Sequence, residues 1–263
     1  MTFLHLDGTP VTEEILGMGG SGLVIRKGQL AVKIPRLWQG VDVPADGRLT
    51  PEPEAFDMRQ CRIDQMQLEK SILRRLRDCD GVVPCFNLDS TELSIRMTYM
   101  EKGDLRSYLE REKPSRQTQL TWLRKMAHTL SDIHRRRIIV ADVRSDNYLI
   151  DKSLDIYLTD FGESSMMPLE WEMKDLNADG ESVATDIGNF GAVMYEVITG
   201  QHCKFDLLQD WKEPGDPFSW PRRDSLPSTH GLWLGHIIEM CWVQGSFASA
   251  DELATTLDDQ DAG

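Results

Sequence analysis

The stretch at positions 138–150, IIVADVRSDNYLI, is the most informative part of this sequence. Asp142 and Asn147 stand five residues apart in it, between two apolar runs that each predict a short strand. Thirteen residues after Asn147 comes Asp160, which directly follows another predicted strand in LTDFG. The first pair alone is ordinary turn chemistry. Together the three side chains indicate a site in which one carboxylate handles a hydroxyl while the amide and the other carboxylate hold a divalent ion on phosphate oxygens.

A glycine-rich segment near the amino terminus, GMGGSGLV at 17–24, fits the same chemistry. Its glycines allow a backbone to approach a phosphate chain closely and to offer N–H groups to it. By itself the segment is more commonly a hairpin turn. A dinucleotide-binding fold requires a helix directly after the glycines. The following residues, LVIRKGQLAVKI, instead predict strand, turn and strand, which favours a hairpin.

Lys33 lies eleven residues after Gly22 on a predicted half-buried strand. Such a lysine is usually the solvent-facing residue of the alternation. The alternative is an inward-pointing ammonium, which needs a carboxylate because an unpaired buried charge is costly. Glu69 shares a predicted helical stripe with Met66 and Ile72, although a glutamate there is more often an edge residue. We interpret these two unusual positions together as an ion pair.

Bulk composition limits the classes of partner. The 263 residues carry 29 Lys and Arg against 43 Asp and Glu, a net charge of −14, which predicts no binding to nucleic acid or to anionic membranes. Neither a signal peptide nor a membrane-spanning window is visible. Five cysteines without metal-binding spacing predict reduced thiols in the cytoplasm, with the nucleus as an alternative. We expect a monomer.

Periodicity predicts a sheet-rich part followed by a helical part, with the boundary near 100–103. The first part is expected to contain strands within 13–35, a mobile loop over 36–56, one helix over 57–77, and strands at 82–88 and 93–100. In the second part we expect a helix over 117–137 and helices near 184–199, 230–242 and 249–258.

In this order and at these intervals the motifs resemble those of the eukaryotic-type protein kinase domain. GMGGSGLV resembles its glycine loop, AVKI its strand lysine, DVRSDN its catalytic loop and DFG its metal-binding turn. TDIGNFGAVMYEVITG resembles its central helix, so the resemblance covers essentially the whole chain. It implies an α+β, bilobal fold in which residues 1–263 form one kinase domain. Residues 1–100 would be a small antiparallel-sheet lobe with one helix, and 101–263 a larger helical lobe.

The resemblance also implies ATP and Mg²⁺ as cofactors and assigns roles to residues. It assigns catalysis to Asp142, Arg144, Lys33 and Glu69, metal binding to Asn147 and Asp160, and nucleotide binding to Gly17, Gly19, Gly20, Ser21, Gly22, Val24, Ala31, Lys33, Met97 and Met100. Asp186 matches the helix aspartate that supports the catalytic loop.

Three departures from the family pattern bear on activity. Val140 and Ala141 replace the usual His-Arg before the catalytic aspartate, and Ala141 removes a common reason for phosphate control of the activation segment. That segment, 163–185, is short and has PLE at 168–170 in place of Ala-Pro-Glu. Phe247 stands where the family has the arginine that pairs with that glutamate. Both ends of one ion pair are therefore replaced together, which avoids leaving a buried charge unpaired.

Three functions remain open at this point. The first is phosphoryl transfer from ATP to Ser or Thr hydroxyls of a protein, and Arg144 with Asp146 suits Ser/Thr-type rather than tyrosine-type loops. The second is a pseudokinase that binds nucleotide or acts as a scaffold for a signalling partner. The third is a small-molecule kinase, a class that generally lacks a full glycine loop and an Asp-Phe-Gly turn. The sequence does not identify the protein substrate or partner.

Overall fold

The computed structural model describes residues 2–20, 22–50, 56–210 and 218–262. Contacts divide the chain into two units, one of Met1–Asp78 with Val83–Tyr99 and one of Cys79–Val82 with Met100–Gly263. The observed elements are those of an α+β protein-kinase-like fold, as predicted.

The first unit is built on a four-stranded antiparallel sheet with the order β1-β2-β3-β4. Its elements are β1 (Ile15–Met18), β2 (Gly22–Lys27), β3 (Leu30–Pro35), α1 (Arg59–Arg75) and β4 (Ile95–Thr98). Alternate apolar residues of β2 and β3 form a buried cluster on one face, Leu23, Ile25, Val32 and Ile34, and β3 is buried on its other face as well. The predicted antiparallel sheet with one helix is confirmed.

The predicted strand at 82–88 is wrong. The segment forms only isolated bridges, including one between Cys85 and Met97. Pro84 has no N–H to donate to a ladder. Two backbone bonds to β4 are formed, from Phe86 N to Arg96 O at 2.9 Å and from Thr98 N to Pro84 O at 3.1 Å. Beyond them the pairing passes to the side chain of Asn87, which accepts from Arg96 N at 2.8 Å and donates to Ser94 O at 3.0 Å.

The prediction of a mobile loop over 36–56 is also corrected for the described residues. Leu37 and Val43 are fully buried and, together with Leu4, form a second small core. Leu4 N donates to Leu37 O at 2.9 Å, so the chain start is hydrogen-bonded to this segment. The prediction rested on the Pro, Gly and Asp content of this segment and did not weigh the few apolar residues whose burial holds it in place. Positions 51–55 of the prediction lie outside the described residues.

The second unit is mainly helical. Its elements are β5 (Gly103–Asp104), α2 (Leu105–Arg111), α3 (Arg116–Arg135), β6 (Ile138–Ile139), β7 (Tyr148–Ile150), β8 (Ile156–Leu158), β9 (Ser165–Met166), α4 (Val183–Thr199), α5 (Gly235–Trp242) and α6 (Ala250–Asp258), with 3₁₀ turns at Ser145–Asn147 and Arg223–Ser225. The strands form a three-stranded sheet, β5-β7-β8, and a two-stranded sheet, β6-β9.

Local sequence explains the ends of these helices. Ser182 and Thr185 form a capping box at the start of α4, and Gly200 ends that helix with φ of +71°. The predicted helix over 230–242 starts later, at Gly235. The short helix α2 was not predicted; Asp104 caps it by accepting from Ser107 N at 2.8 Å. In the described part of the chain, no helix is long and apolar enough to cross a membrane.

Candidate active site

The glycine-rich segment forms the predicted hairpin between β1 and β2. Gly17 lies opposite Val24 in the register, and Gly19 N donates to Gly22 O at 2.9 Å across the turn. Gly20 lies in the same turn, and the predicted site residue Ser21 lies outside the described residues. Met18, the last residue of β1, pairs with Leu23 of β2 next to the turn.

Lys33 and Glu69 form the predicted ion pair inside the first unit. Lys33 Nζ donates to Glu69 Oε1 at 2.8 Å, and the two residues are only 4% and 3% exposed. Strand β3 and helix α1 supply the two partners. Gly22 lies beside them, and a Cβ there would fall 2.3 Å from Lys33 Cε. A side chain at this position would therefore force the Lys33 side chain to shift.

The other predicted nucleotide-binding residues occupy both units. Ala31 lies opposite Met97 in the β3–β4 register, and both are buried. Val24, opposite Lys33, is partly buried. Met100 is buried in the second unit, where its carbonyl accepts from Gly103 N at 3.2 Å. Their roles in binding remain predictions.

Asp142 and Asn147 are in direct contact in the second unit. Asn147 Nδ2 donates to Asp142 Oδ2 at 2.8 Å and to Asp142 O at 3.0 Å. Because the amide is planar, its oxygen faces away from these two acceptors. Burial raises the pKa of Asp142 above its usual value, and the charges of Asp160 and Asp146 add to this, against the Asn147 bond and the charge of Arg144.

Asp160 is held near this pair by the backbone. Thr159 N donates to Asn147 O at 2.9 Å, which joins the end of β8 to the catalytic loop. Asp160 has φ of +60°, an uncommon conformation for a residue with a side chain, and its Oδ1 accepts from Gly162 N at 3.2 Å. The backbone thus fixes the direction of this carboxylate.

Arg144 is half-exposed and contacts carboxylates on both sides. It is bonded to Asp146 and lies 3.9 Å from Asp142 Oδ1. Arg106, which the sequence analysis did not select, binds Asp146 Oδ1 at 2.9 Å and lies 3.6 Å from Glu196. These arginines offset the acidic residues of the loop. Arg106 carried no motif signal because it follows Asp104 on a helix that was not predicted.

Asp186 supports the catalytic loop from α4. It is 0% exposed, and its two oxygens accept from Val140 N and Ala141 N, each at 2.8 Å. His134 Nε2 lies 2.9 Å from the same carboxylate. Ala141 has φ of +67°, so these bonds hold a strained backbone directly before Asp142. His134 was not among the predicted site residues, because its only signal in the sequence is its place beside the apolar stripe of α3.

The segment 163–185 is packed at its start. Strand β9 pairs with β6, and Ser164 is buried with its hydroxyl donating to Val140 O at 2.8 Å. Glu170 of the PLE sequence is exposed, whereas Phe247 is buried. Glu170 therefore lies in solvent and Phe247 in the interior, and the loss of the family's ion pair stays a prediction.

The carboxylate and amide oxygens of this site provide only part of the ligands that a hard cation such as Mg²⁺ needs. Among the described residues, no group of three or more His, Cys, Asp or Glu side chains forms a cage for a metal ion. The oxygens of Asn147 and Asp160 are the ligand type that Mg²⁺ takes when substrate phosphates and water complete its coordination. The residues present therefore fit a magnesium ion brought with a nucleotide.

Comparison with known proteins gives one family. A model of the protein kinase domain matches residues 52–187. A probable serine/threonine-protein kinase of Dictyostelium discoideum is 28% identical over 167 residues, 56% of this chain and 34% of that protein. A tyrosine-protein kinase receptor of Caenorhabditis elegans is 27% identical over 141 residues, 47% of this chain and 13% of that protein.

A third relative is a probable cAMP-dependent protein kinase catalytic subunit of Encephalitozoon cuniculi. It is 26% identical over 166 residues, 58% of this chain and 52% of that protein. The matched part of this chain thus spans between 13% and 52% of the length of these relatives. Their names include both serine/threonine and tyrosine kinases, so they agree on protein phosphorylation and differ on the acceptor.

Proposed function

This chain belongs to the protein kinase family, and on that premise we propose that it transfers the γ-phosphoryl group of ATP to serine or threonine hydroxyls of a protein. The observation that carries the proposal is the buried pair of Lys33 and Glu69, joined at 2.8 Å. A buried ion pair costs desolvation energy and is weak support for stability alone. The presence of this buried pair is therefore better explained by a role in phosphoryl transfer than by a contribution to stability.

In this proposal the first unit holds the phosphates. The Lys33 ammonium neutralises phosphate charge, and Glu69 fixes its direction. The N–H groups of the turn between β1 and β2 add donors without adding charge. Gly22 keeps the turn backbone close to the lysine, since no Cβ stands between them.

In the second unit, Asp142 is the group that orients the acceptor hydroxyl and takes its hydrogen. Asn147 donates to Asp142 Oδ2, which directs the other carboxylate oxygen outward. The raised pKa of Asp142, caused first by burial, makes it a stronger base than a solvated aspartate. Arg144 supplies a cation 3.9 Å from the same carboxylate.

Asn147 and Asp160 are the residues proposed to hold magnesium. When bound, the ion would neutralise charge on the phosphate oxygens. Asp160 is directed by its backbone and by Gly162 N, so the carboxylate needs little rearrangement to act as a ligand. We further propose a protein acceptor in the cytoplasm or nucleus, and no nucleic-acid or membrane partner, because the net charge is −14.

A second candidate is a pseudokinase that binds nucleotide without transferring phosphate. The observation favouring it is the remodelled segment 163–185, in which Glu170 is exposed and the arginine position is Phe247, a buried side chain. Without that ion pair, the surface that docks a peptide in relatives lacks one of its supports. This candidate predicts thermal stabilisation by nucleotide with no phosphate transfer.

The test is to incubate purified protein with magnesium and labelled ATP, first alone and then with a basic protein or a small-molecule panel. We expect transfer to protein Ser or Thr, lost in Asp160→Ala by roughly 10²–10³-fold or more because that variant removes a metal ligand. Phosphoamino acid analysis identifies the acceptor type. Transfer only to small molecules, or nucleotide binding without transfer, would contradict the proposal and select another candidate.

Gly22→Ala is expected to weaken ATP binding roughly ten-fold, because the added Cβ forces Lys33 out of its position. The control is Gln29→Ala in the turn between β2 and β3, an exposed residue to which no nucleotide-binding role is assigned. That variant should bind ATP with nearly the original affinity. Isothermal titration with ATP and magnesium measures both, and equal affinities for the two variants would refute the assigned role of Gly22.

A further inference from the structure

A buried carboxylate outside the predicted site connects the elements of the first unit. Asp42 is 3% exposed and lies in the segment that the sequence suggested to be a mobile loop. Its Oδ1 accepts from Arg62 Nη2 at 2.7 Å, and its Oδ2 lies 3.5 Å from Arg36 Nε. Trp38 N donates to Oδ2 at 3.0 Å. We call Asp42, Arg36 and Arg62 the Asp42 cluster.

One arm of the cluster reaches the helix that carries Glu69. Arg62 is in the first turn of α1, and Met58 N, at the start of the same helix, donates to Asp42 O at 2.7 Å. Arg62 precedes Glu69 by seven residues, two helical turns, so both side chains lie on the same face. Fixing the first turn of α1 therefore fixes the rotation that directs Glu69 toward Lys33.

The other arm reaches the glycine turn. Arg36 follows directly after β3, and its Nη1 donates to Gly19 O at 3.0 Å. Asp42 thus connects the carbonyl of Gly19, through Arg36, with the start of α1, through Arg62. Burial opposes ionisation of Asp42, but the bonds from Arg62 and Trp38 N and the charges of both arginines outweigh it and lower its pKa. The carboxylate is therefore charged at neutral pH.

We infer that Asp42 is a positioning residue for phosphoryl transfer, which holds the glycine turn and α1 in the arrangement that forms the Lys33–Glu69 pair. The inference rests on the function proposed above for that pair. Both arginines are mostly buried, with side chains 19% and 12% exposed. Without the carboxylate between them, two like charges would repel and the two arms would move independently.

As a consequence, the Lys33–Glu69 pair forms from contacts within the first unit. The segment holding Asp42 is anchored by the small core of Leu4, Leu37 and Val43. The Asp42 cluster and this small core together therefore set the positions of α1 and the glycine turn. The expected effect of breaking the cluster is a weaker hold on nucleotide phosphates.

The chain offers a matched control in Asp57. Its side chain is 2% exposed and pairs with Arg59 at 2.7 Å, at the same end of α1. It also accepts from Arg59 N at 3.0 Å, so it stabilises the start of the helix locally. These bonds join residues two positions apart and do not involve Arg36 or the glycine turn. Asp57→Asn should lower thermal stability without changing the position of Lys33.

The experiment compares Asp42→Asn with Asp57→Asn by hydrogen exchange on the nucleotide-free protein and by ATP kinetics. Asp42→Asn should speed amide exchange at residues 17–20 and around Glu69, and raise KM for ATP roughly ten-fold or more. Asp57→Asn should leave exchange at residues 17–20 and KM unchanged while lowering Tm. Equal effects of the two variants on exchange and KM would overturn the inference and make Asp42 an ordinary structural residue.

Two further variants keep the test informative if Asp42→Asn does not fold. Arg62→Met should speed exchange in α1 but not at Gly19, and Arg36→Met should do the reverse. If either variant speeds exchange in both regions, or in neither region, the two contacts of Asp42 do not act separately and the inference is contradicted. The exchange measurement does not require catalytic activity. A wild-type protein that fails to bind ATP would therefore refute the proposed function, while the exchange rates would still test the positioning role of Asp42.

Discussion

Replacing Lys33 with methionine is expected to lower the rate of phosphoryl transfer by about 10²–10³-fold or more, because it removes the cation proposed to neutralise the phosphates. The methionine side chain has a similar length and no charge. The lysine is 4% exposed and bonded to Glu69 at 2.8 Å, so its ammonium has a fixed position that solvent cations do not reproduce. The measurement is initial-rate kinetics with ATP and magnesium.

Lys70 provides the control for this substitution. It is 3% exposed and adjacent to Glu69 in sequence, and its ammonium donates to Ser90 O at 2.9 Å and Glu92 O at 2.7 Å. Lys70→Met therefore also removes a buried lysine from the first unit, and we expect a loss of stability with transfer retained within about three-fold. If both methionine variants lose transfer equally, the loss reflects damage to the unit and Lys33 has no special role.

Replacing Asp186 with alanine is expected to cost about 3–5 kcal/mol of folding free energy, because it removes the acceptor of two buried backbone N–H groups and the partner of His134. It should also reduce kcat strongly, because Ala141 can then leave its strained conformation and move Asp142. KM for ATP should change little, since Lys33 and Glu69 belong to the other unit. Chemical denaturation and steady-state kinetics measure these effects.

The control for Asp186 is a change at the strained residue itself. Ala141→Gly should stabilise the protein by about 1 kcal/mol, because glycine adopts a positive φ without a steric cost. The Asp186 bonds to the backbone at 140 and 141 are retained in that variant. A loss of stability in Ala141→Gly would show that the backbone at this position is not under strain, and would remove the reason given for the kcat effect.

Sequence reasoning performed best where charge and periodicity acted together. The pairing of Lys33 with Glu69 was predictable because a lysine on a buried strand and a glutamate in an apolar stripe each need an oppositely charged partner. Each of the two residues can be the partner of the other. Asp142 and Asn147 were predicted to lie in one loop between strands and to share a site, whereas their direct hydrogen bond was not predicted. These predictions concern residues whose chemical type restricts their surroundings.

Prediction failed where tertiary contacts override local pattern. The run at 82–88 has the apolar content of a strand, yet Pro84 lacks an N–H and the Asn87 side chain bonds to Arg96 N and Ser94 O, so the pairing with β4 is limited to an isolated bridge. The segment with Leu37, Asp42 and Val43 has the composition of a mobile loop, and its order depends on contacts with distant residues. Nothing in its local sequence indicates that Asp42 meets two arginines, since Arg62 lies twenty positions away.

The small core of Leu4, Leu37 and Val43 has a practical consequence for handling the protein. Residues 2–4 belong to the support of the first unit, because Gln39 N donates to Thr2 O at 3.0 Å and Leu4 N to Leu37 O at 2.9 Å. Proteolysis that removes residues 2–4, or a fusion that displaces them, is therefore expected to loosen the segment that holds Asp42. Preparations are best checked for intact residues 2–4 before their measured properties are compared.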